Sequence, residues 1–227
     1  FNWARDLSST LRVNGSYGTA SNLPGHYQNN LNITRGKTAL KAEHSKNLEL
    51  GLTSDYGWGN VELKFYRSRV SNAFDYLDPD GNWQTGDDYY INNGTVNMRG
   101  VELSIGTDLL GWDLDTSFDL NKAIAASTNL EKGRRPNRSI TLNLSKTSGK
   151  WNRSINWIAK SRAWDKDDHS TGENGGYGLL NLSTSYNFTE DLIVYLNRRN
   201  TLDKDYEMAK GYNTLGKTTT LGLTYNF

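Results

Sequence analysis

The sequence predicts an antiparallel transmembrane β-barrel, or about ten strands of one. Three observations carry that reading. Stretches of roughly ten residues or more alternate apolar and polar side chains with a period of two. The connections between them are alternately short and long. Aromatic residues collect beside the short connections. Period two is the signature of a strand with two unlike faces. One-sided loop lengths and an aromatic girdle are the marks of a barrel in the outer membrane, with short turns in the periplasm and long loops outside.

The strands are expected at roughly 7–20, 44–56, 60–77, 89–109, 112–124, 137–148, 151–166, 177–188, 191–206 and 217–227. In the first, Leu7, Leu11, Val13 and Tyr17 alternate with Ser8, Thr10, Arg12, Asn14 and Ser16. The second sets Leu48, Leu50 and Leu52 against Asn47, Glu49 and Gly51, and the third Val61, Leu63 and Phe65 against Glu62, Lys64 and Tyr66. Val101, Leu103 and Ile105 then face away from Glu102, Ser104 and Gly106. Trp112, Leu114 and Phe118 do the same against Asp113, Asp115 and Asp119. Ile140, Leu142 and Leu144 continue the pattern, followed by Trp151, Ile155 and Trp157, and by Leu180, Leu182, Tyr186 and Phe188. The ninth strand is weaker: its outward set runs Leu192, Val194, Leu196 and then Arg198. A charge at mid-bilayer costs about 2–4 kcal/mol, so Arg198 is expected near the upper edge or snorkelling to it. In the last strand Thr219, Leu221, Leu223, Tyr225 and Phe227 oppose Thr218, Thr220, Gly222, Thr224 and Asn226.

Short turns fall at 56–60, 109–112, 147–151 and 187–191, and long polar loops at 21–43, 78–90, 125–136, 165–176 and 205–216. Tyr56, Trp58, Trp112, Trp151, Tyr186, Phe188, Tyr225 and Phe227 lie at the short-turn level and are expected to form the periplasmic girdle. A soluble β-sandwich also alternates, but it predicts neither one-sided loops nor an aromatic ring at one end.

Composition agrees. Hydrophobic residues make up 35% of the 227, and the mean hydropathy is −0.73. That is poor for a core lined on both sides, yet sufficient for a barrel whose wet interior needs only an apolar exterior. No apolar run is long enough for a transmembrane helix. The absence of cysteine excludes disulfides and thiolate metal sites. A formal charge of +1 gives no basic excess for nucleic acid. No signal peptide opens the chain, so a mature form or a fragment is expected.

Several stretches are similar to a known family. Ser16-Tyr17-Gly18-Thr19-Ala20, then Lys41-Ala42-Glu43-His44-Ser45-Lys46-Asn47-Leu48-Glu49-Leu50-Gly51, resemble the TonB-dependent outer-membrane transporters. So do Arg99-Gly100-Val101-Glu102-Leu103, Asn200-Thr201-Leu202-Asp203-Lys204-Asp205-Tyr206 and Gly211-Tyr212-Asn213-Thr214-Leu215-Gly216-Lys217. The likeness is strongest to the cobalamin (vitamin B12) branch, through the Asp-Lys-Asp-Tyr-Glu and Gly-Tyr-Asn-Thr stretches. Thr201-Leu202 stands where the family usually has Leu-Phe, and Leu215 where it often has Pro. The resemblance implies that residues 1–227 are one transmembrane segment, the last strands of a 22-stranded barrel. On that likeness the plug domain and earlier strands are expected to lie outside this sequence, and residues 1–6 are expected to be the tail of a preceding strand plus a turn.

The resemblance implies uptake of a large scarce nutrient, cobalamin or a ferric siderophore. The expected partners are outer-membrane lipid, that nutrient, TonB acting through the missing plug, and the barrel assembly machinery during insertion. Gly222, Leu223, Tyr225 and Phe227 resemble the C-terminal signal read by that machinery. Two other readings stand beside this one. The first is a self-contained ten-stranded barrel, acting as a pore, a structural protein or an omptin-like protease. The second is a barrel segment whose role is that of an assembly client.

The candidate ligand contacts are loop aromatics: Tyr27, Trp83, Tyr89, Tyr90, Trp164, Tyr177, Tyr206 and Tyr212. Aromatic faces with scattered hydrogen bonds suit a large, rigid, amphipathic ligand. The competing role is an upper aromatic girdle, which is expected to claim at least half of them. His169, after Asp165, Asp167 and Asp168, offers a hydrolytic pair, but a solvated acidic loop tip is the reading preferred, because no further carboxylates are seen to converge there. Asp78-Pro79-Asp80-Gly81-Asn82 lacks the full calcium-loop pattern and reads as a turn. The chain is not expected to be an enzyme, and no catalytic residue, metal ligand or cofactor is assigned.

Overall fold

In the computed structural model, which describes residues 1–82 and 84–227, strands dominate. In chain order they are β1 Asn2–Asp6, β2 Leu11–Asn22, β3 Glu43–Tyr56, β4 Gly59–Ser71, β5 Phe74–Leu77, β6 Tyr89–Asn92, β7 Thr95–Leu109 and β8 Trp112–Ala125. They continue as β9 Arg138–Ser148, β10 Trp151–Lys160, β11 Ala163–Trp164, β12 Glu173–Asn174, β13 Tyr177–Asn187, β14 Leu192–Arg199 and β15 Thr218–Tyr225, and one helix, α1 His26–Thr34, lies between β2 and β3. Eleven strands form one antiparallel sheet in the order β1-β2-β3-β4-β7-β8-β9-β10-β13-β14-β15. The pairs β5-β6 and β11-β12 stand apart as small hairpins on the long-loop side. Each main strand pairs with the next in sequence, an up-and-down meander.

The alternation sets the two faces. Register places Leu50 beside Phe65, Phe65 beside Val101 and Val101 beside Leu120. These side chains form one continuous outward band that stays open, with Leu48 56% and Leu223 67% exposed. Among the described residues the buried hydrophobics are only Ala73, Val96 and Ala123. A soluble sheet would cover so large an apolar face, whereas a bilayer covers it here. The inward face carries Lys64, which pairs with Glu102 at 3.5 Å and Glu62 at 3.9 Å. Among the described residues no helix is long and apolar enough to cross a membrane.

The short turns form one rim. Leu110 and Gly111 both take positive φ, 56° and 73°, the pair of values that a two-residue hairpin needs to match strand twist. Around this rim Tyr56 stacks on Trp58 at 5.6 Å, Tyr186 meets Trp151 and Phe188 at 4.8 Å each, and Tyr225 meets Phe227 at 5.2 Å. The expected girdle is present.

Five of the expected strands have different bounds, each for a local reason. The first strand begins at Leu11, because Ser8 Oγ accepts the N–H groups of Thr10 and Leu11 and makes residues 7–10 a turn. Residues 2–6 then pair fully with β2 as an eleventh strand. The strands expected at 60–77 and 89–109 break at Asn72 (φ 55°) and Gly94 (φ 70°), and the excess length folds into β5-β6. Residues 151–166 part after Lys160 into the β11-β12 hairpin. The strand expected at 191–206 stops at Arg199, where Asn200 (φ 47°) is buried and its amide bonds both the N–H and the C=O of Lys204. Arg198 therefore sits at the upper end of a short strand. Its charge reaches Asp203, whose carboxyl is held low first by the Lys217 N–H, then by the Lys217 and Arg198 cations.

The loop 21–43 contains α1, which its Asn-rich sequence did not announce. Asn32 is 1% exposed. Its amide donates to Thr38 and Tyr90 carbonyls at 2.9 Å and accepts the Tyr90 N–H at 2.9 Å. Replacing Asn32 with alanine leaves those groups unpaired, at about 1–3 kcal/mol. Faster amide exchange over residues 26–40 and 89–92, with unchanged exchange in β7 and β8, is the expected result.

Candidate outer-loop binding site

The long loops meet above the sheet, and Asp165 is the point where three of them join. Its side chain is 4% exposed. Oδ1 accepts the Lys210 N–H at 2.8 Å, Asn174 Nδ2 at 3.0 Å and Arg134 Nε at 3.2 Å, while Oδ2 accepts Thr171 Oγ1 at 3.3 Å. Burial alone would raise this carboxyl. The donors from Lys210, Asn174 and Arg134 outweigh it and hold the pKa at about 2. Close approach of the loops also requires Gly133, where a Cβ would meet the backbone of Asp165 and Lys166 at 2.8–3.0 Å. Lys132 bridges further, to Asp167 in one loop and to Asp75 in β5 at 3.9 Å.

Under this layer, on the inward face, a cavity of ≈ 400 Å³ is lined by Tyr66, Met98, Asp119, Asn121, Arg134 and Arg135, among others. A second, of ≈ 560 Å³, opens between Tyr76, Lys132, Arg134 and Asp165. Both mix apolar, aromatic and charged groups at the mouth of the sheet. Such surfaces can hold an amphipathic ligand through ring faces and charge-assisted hydrogen bonds.

The predicted aromatics divide. Trp164 stacks on His169 at 4.0 Å and 7°, and Tyr177 packs on Tyr206 at 4.5 Å. Tyr90 meets Tyr76 edge-on at 5.3 Å, and Tyr89 carries Lys37 Nζ over its ring at 4.3 Å. These four clusters stand in the loop layer. Tyr27 and Tyr212 project into solvent, 69% and 71% exposed. Trp83 lies outside the described residues.

Sequence reasoning missed Tyr76, Lys132, Arg134 and Arg135. Gly133-Arg134-Arg135-Pro136 in a long loop was the available signal: a basic pair between two residues that fix a tight backbone. Tyr76 Oη donates to Asp88 at 2.6 Å, and that bond, with desolvation, pushes its pKa to about 12. Asp88 is paired in turn with Arg35 at 2.9 Å.

His169 does not form a hydrolytic pair. Its Nε2 bonds the Glu131 carbonyl at 2.9 Å and its ring covers Trp164. Asp165, Asp167 and Asp168 are engaged elsewhere, Asp168 accepting Ser170 Oγ at 2.7 Å. The acidic stretch is therefore not a freely solvated loop tip, because Asp165 is buried within it. Asp78, Asp80 and Asp87 bring carboxylate oxygens within 4.8 Å of one another. The Asn82 N–H bonds Asp80 at 2.8 Å, and Gly81 has φ 73°, a turn of the kind expected. Gly222 faces the sheet interior opposite Tyr195, whereas Leu223 and Tyr225 point outward.

Among the described residues β1 and β15 do not pair with each other, so the sheet is open and the chain does not close a ten-stranded barrel by itself. The family model described as "TonB dependent receptor-like, beta-barrel" matches residues 1–200. The chain is 26% identical over 226 residues to the vitamin B12 transporter BtuB of Photobacterium profundum, covering 99% of this chain and 37% of that protein. Among solved structures it resembles the copper transporter OprC, with TM-score 0.80 and 18% identity over 100% of this chain and 39% of the other. It also resembles the siderophore receptor PirA of Acinetobacter baumannii, with TM-score 0.80 and 16% identity over 100% and 40%. It thus spans well under half the length of these proteins. The meander, the aromatic rim, the open apolar exterior and this match agree: the chain belongs to the TonB-dependent receptor family and is a segment of its β-barrel, located in the bacterial outer membrane.

Proposed function

We propose that this segment forms part of the wall and outer mouth of a receptor that imports a large scarce nutrient, a corrinoid first and a ferric siderophore second. The observation that carries the proposal is the convergence of three long loops on Asp165, beside clustered aromatics and Arg134, above the polar inner face of the sheet. A rigid, many-ringed ligand gains from pre-ordered aromatic faces, because little loop entropy is lost on binding. The 26% identity to a vitamin B12 transporter along nearly the whole chain favours a corrinoid. The likeness to a siderophore receptor keeps the second class. Transport itself is driven through TonB by parts of the receptor outside this chain. Leu223, Tyr225 and Phe227 serve as the outward-facing handle for the assembly machinery.

Equilibrium binding of cyanocobalamin and of ferric enterobactin to the receptor carrying this segment tests the reading. Saturable cyanocobalamin binding, weakened at least tenfold by Arg134→Ala with Trp164→Ala, is expected. Tight siderophore binding without corrinoid binding reverses the order, and binding of neither compound rejects both classes.

A further inference from the structure

The inner face of the sheet is divided by charge. On β3, β4, β7 and β8 the side chains that alternate with the lipid-facing set include Glu49, Glu62, Glu102, Asp113, Asp115 and Asp119. Among the described residues β9, β10, β13, β14 and β15 place no carboxylate on that face. Their inward charges are Lys160 and Arg199, the last residues of β10 and β14, at the outer end of the wall.

Below those two cations the uncharged arc carries level rows of amides and hydroxyls. Asn143 lies across from Asn156, and Asn156 across from Asn181. Ser145, Ser154, Ser183 and Asn197 form the row beneath, and Thr147, Asn152 and Ser185 the next. The rows are bonded within themselves. Asn181 Nδ2 donates to Asn156 Oδ1 at 2.8 Å, Asn156 Nδ2 to Asn143 Oδ1 at 2.7 Å, and Ser183 Oγ to Asn197 Oδ1 at 2.6 Å. An amide nitrogen carries two N–H donors, so each rung can still donate to a passing group.

Three features suit this arc to the passage of a large ligand. Rows on one face of a strand recur every two residues, about 7 Å. A rigid ligand of several rings is wider than that, so it meets the next row before it leaves the last. Neutral hydrogen bonds are also roughly half as strong as those to a carboxylate, and movement through a pore requires sites that hold weakly and repeatedly. On the acidic arc, carboxylates would grip the amide N–H groups of a corrinoid and repel the anionic oxygens of a ferric siderophore. Finally, the loop site opens over the uncharged arc: Trp164 follows β10, Tyr177 begins β13 and Tyr206 follows β14. Lys160 and Arg199 stand between those rings and the rows, where they attract an anionic group at the entrance and leave the descent free of fixed charge.

We infer that the nutrient, once released from the loop site, descends along the uncharged arc of β9–β15, guided by Asn156, Asn181 and Ser183, and bypasses the acidic arc of β3–β8. The inference rests on the import reading and adds the path to it.

Equilibrium binding and TonB-driven uptake of cyanocobalamin and ferric enterobactin, measured in cells making the whole receptor, test it together. Asn156→Asp with Ser183→Asp is expected to lower uptake of the bound compound at least tenfold with binding unchanged. Asn156→Ser with Ser183→Asn disturbs the same rungs without adding charge and should keep uptake within twofold of the parent. Ser104→Asp with Ser117→Asp adds the same charge to the acidic arc and should do likewise. A second measurement introduces bulk only after folding. The segment has no cysteine of its own, so Asn156→Cys and Ser104→Cys can each be labelled in the folded receptor with a bulky maleimide. The label at 156 should reduce uptake at least tenfold, and the label at 104 should not. Heat-modified mobility on a gel verifies that each variant folds. Equal losses from the two arcs, a loss confined to the acidic arc, or full uptake by the labelled 156 variant overturns the path while the import reading stands. Binding of neither compound to the unaltered receptor rejects the import reading, and the path with it.

Discussion

Replacing Asp165 with alanine is expected to free three outer loops at once while leaving the barrel wall intact. The carboxylate is almost fully buried, and its oxygens collect donors from Arg134, Thr171, Asn174 and Lys210, residues drawn from three separate connections. Without it, Asn174 and the Lys210 N–H lose their acceptor in a dry setting, and Arg134 loses its counter-charge. Its folded pKa of about 2 lies roughly two units below the ordinary carboxylate value, which is about 2–3 kcal/mol of loop-layer stability at neutral pH. The sign follows from the depressed value: the contribution is complete above about pH 4 and is lost as pH falls toward 2. Limited proteolysis at residues 126–137, 165–176 and 201–216 should accelerate about 30- to 100-fold in the variant at pH 7, with β7–β10 still protected. Asp165→Asn keeps an acceptor of the same shape, so it should fall between the two and lose the acid transition. An alanine variant as resistant as the parent would remove Asp165 from the centre of the loop layer, and with it the ordered mouth on which the nutrient-binding reading stands.

That junction was the part of the molecule the sequence concealed. Strand positions were legible because a barrel wall imposes a strict two-residue period on every strand, and Leu48-Leu50-Leu52 or Leu180-Leu182 admit one register only. The rim was legible because turns such as Leu110-Gly111 must be short, and because interfacial aromatics cluster beside them. The breaks at Asn72, Gly94 and Asn200 were foreshadowed by residues tolerant of positive φ, yet nothing local says whether such a residue bends a strand or ends it. The loops obey no period at all. Asp165 finds Lys210 across 45 residues, and Asn32 finds Tyr90 across 58. Contacts at that range are set by where the wall delivers each loop, so only the assembled wall brings them together.

Gly222 carries the second large effect, and it separates packing from signalling at the C-terminal strand. In the β14-β15 pair Gly222 lies directly across from Tyr195, whose ring fills the space that a Cβ at 222 would need. Gly100 makes the same accommodation for Tyr66 across β4-β7. A ring laid over a glycine on the neighbouring strand covers bare backbone and pins the register. A leucine at 222 must push the ring off that surface, and overpacking of this kind costs about 1–3 kcal/mol. Gly222→Leu is therefore expected to lower the folded fraction of the receptor several-fold in membranes and to shift its urea midpoint downward in micelles. Tyr195→Ala should restore much of the loss when combined with it, because the clash has then been removed, giving a coupling of about 1–2 kcal/mol in the double-mutant cycle. If assembly machinery instead reads the glycine itself, Tyr195→Ala will rescue nothing, and purified Gly222→Leu receptor will refold in micelles as well as the parent. Substituting Leu223 or Tyr225 should give the opposite pattern. Their side chains point to lipid and meet no cross-strand ring, so their loss should slow insertion in cells while leaving the micelle midpoint close to that of the parent.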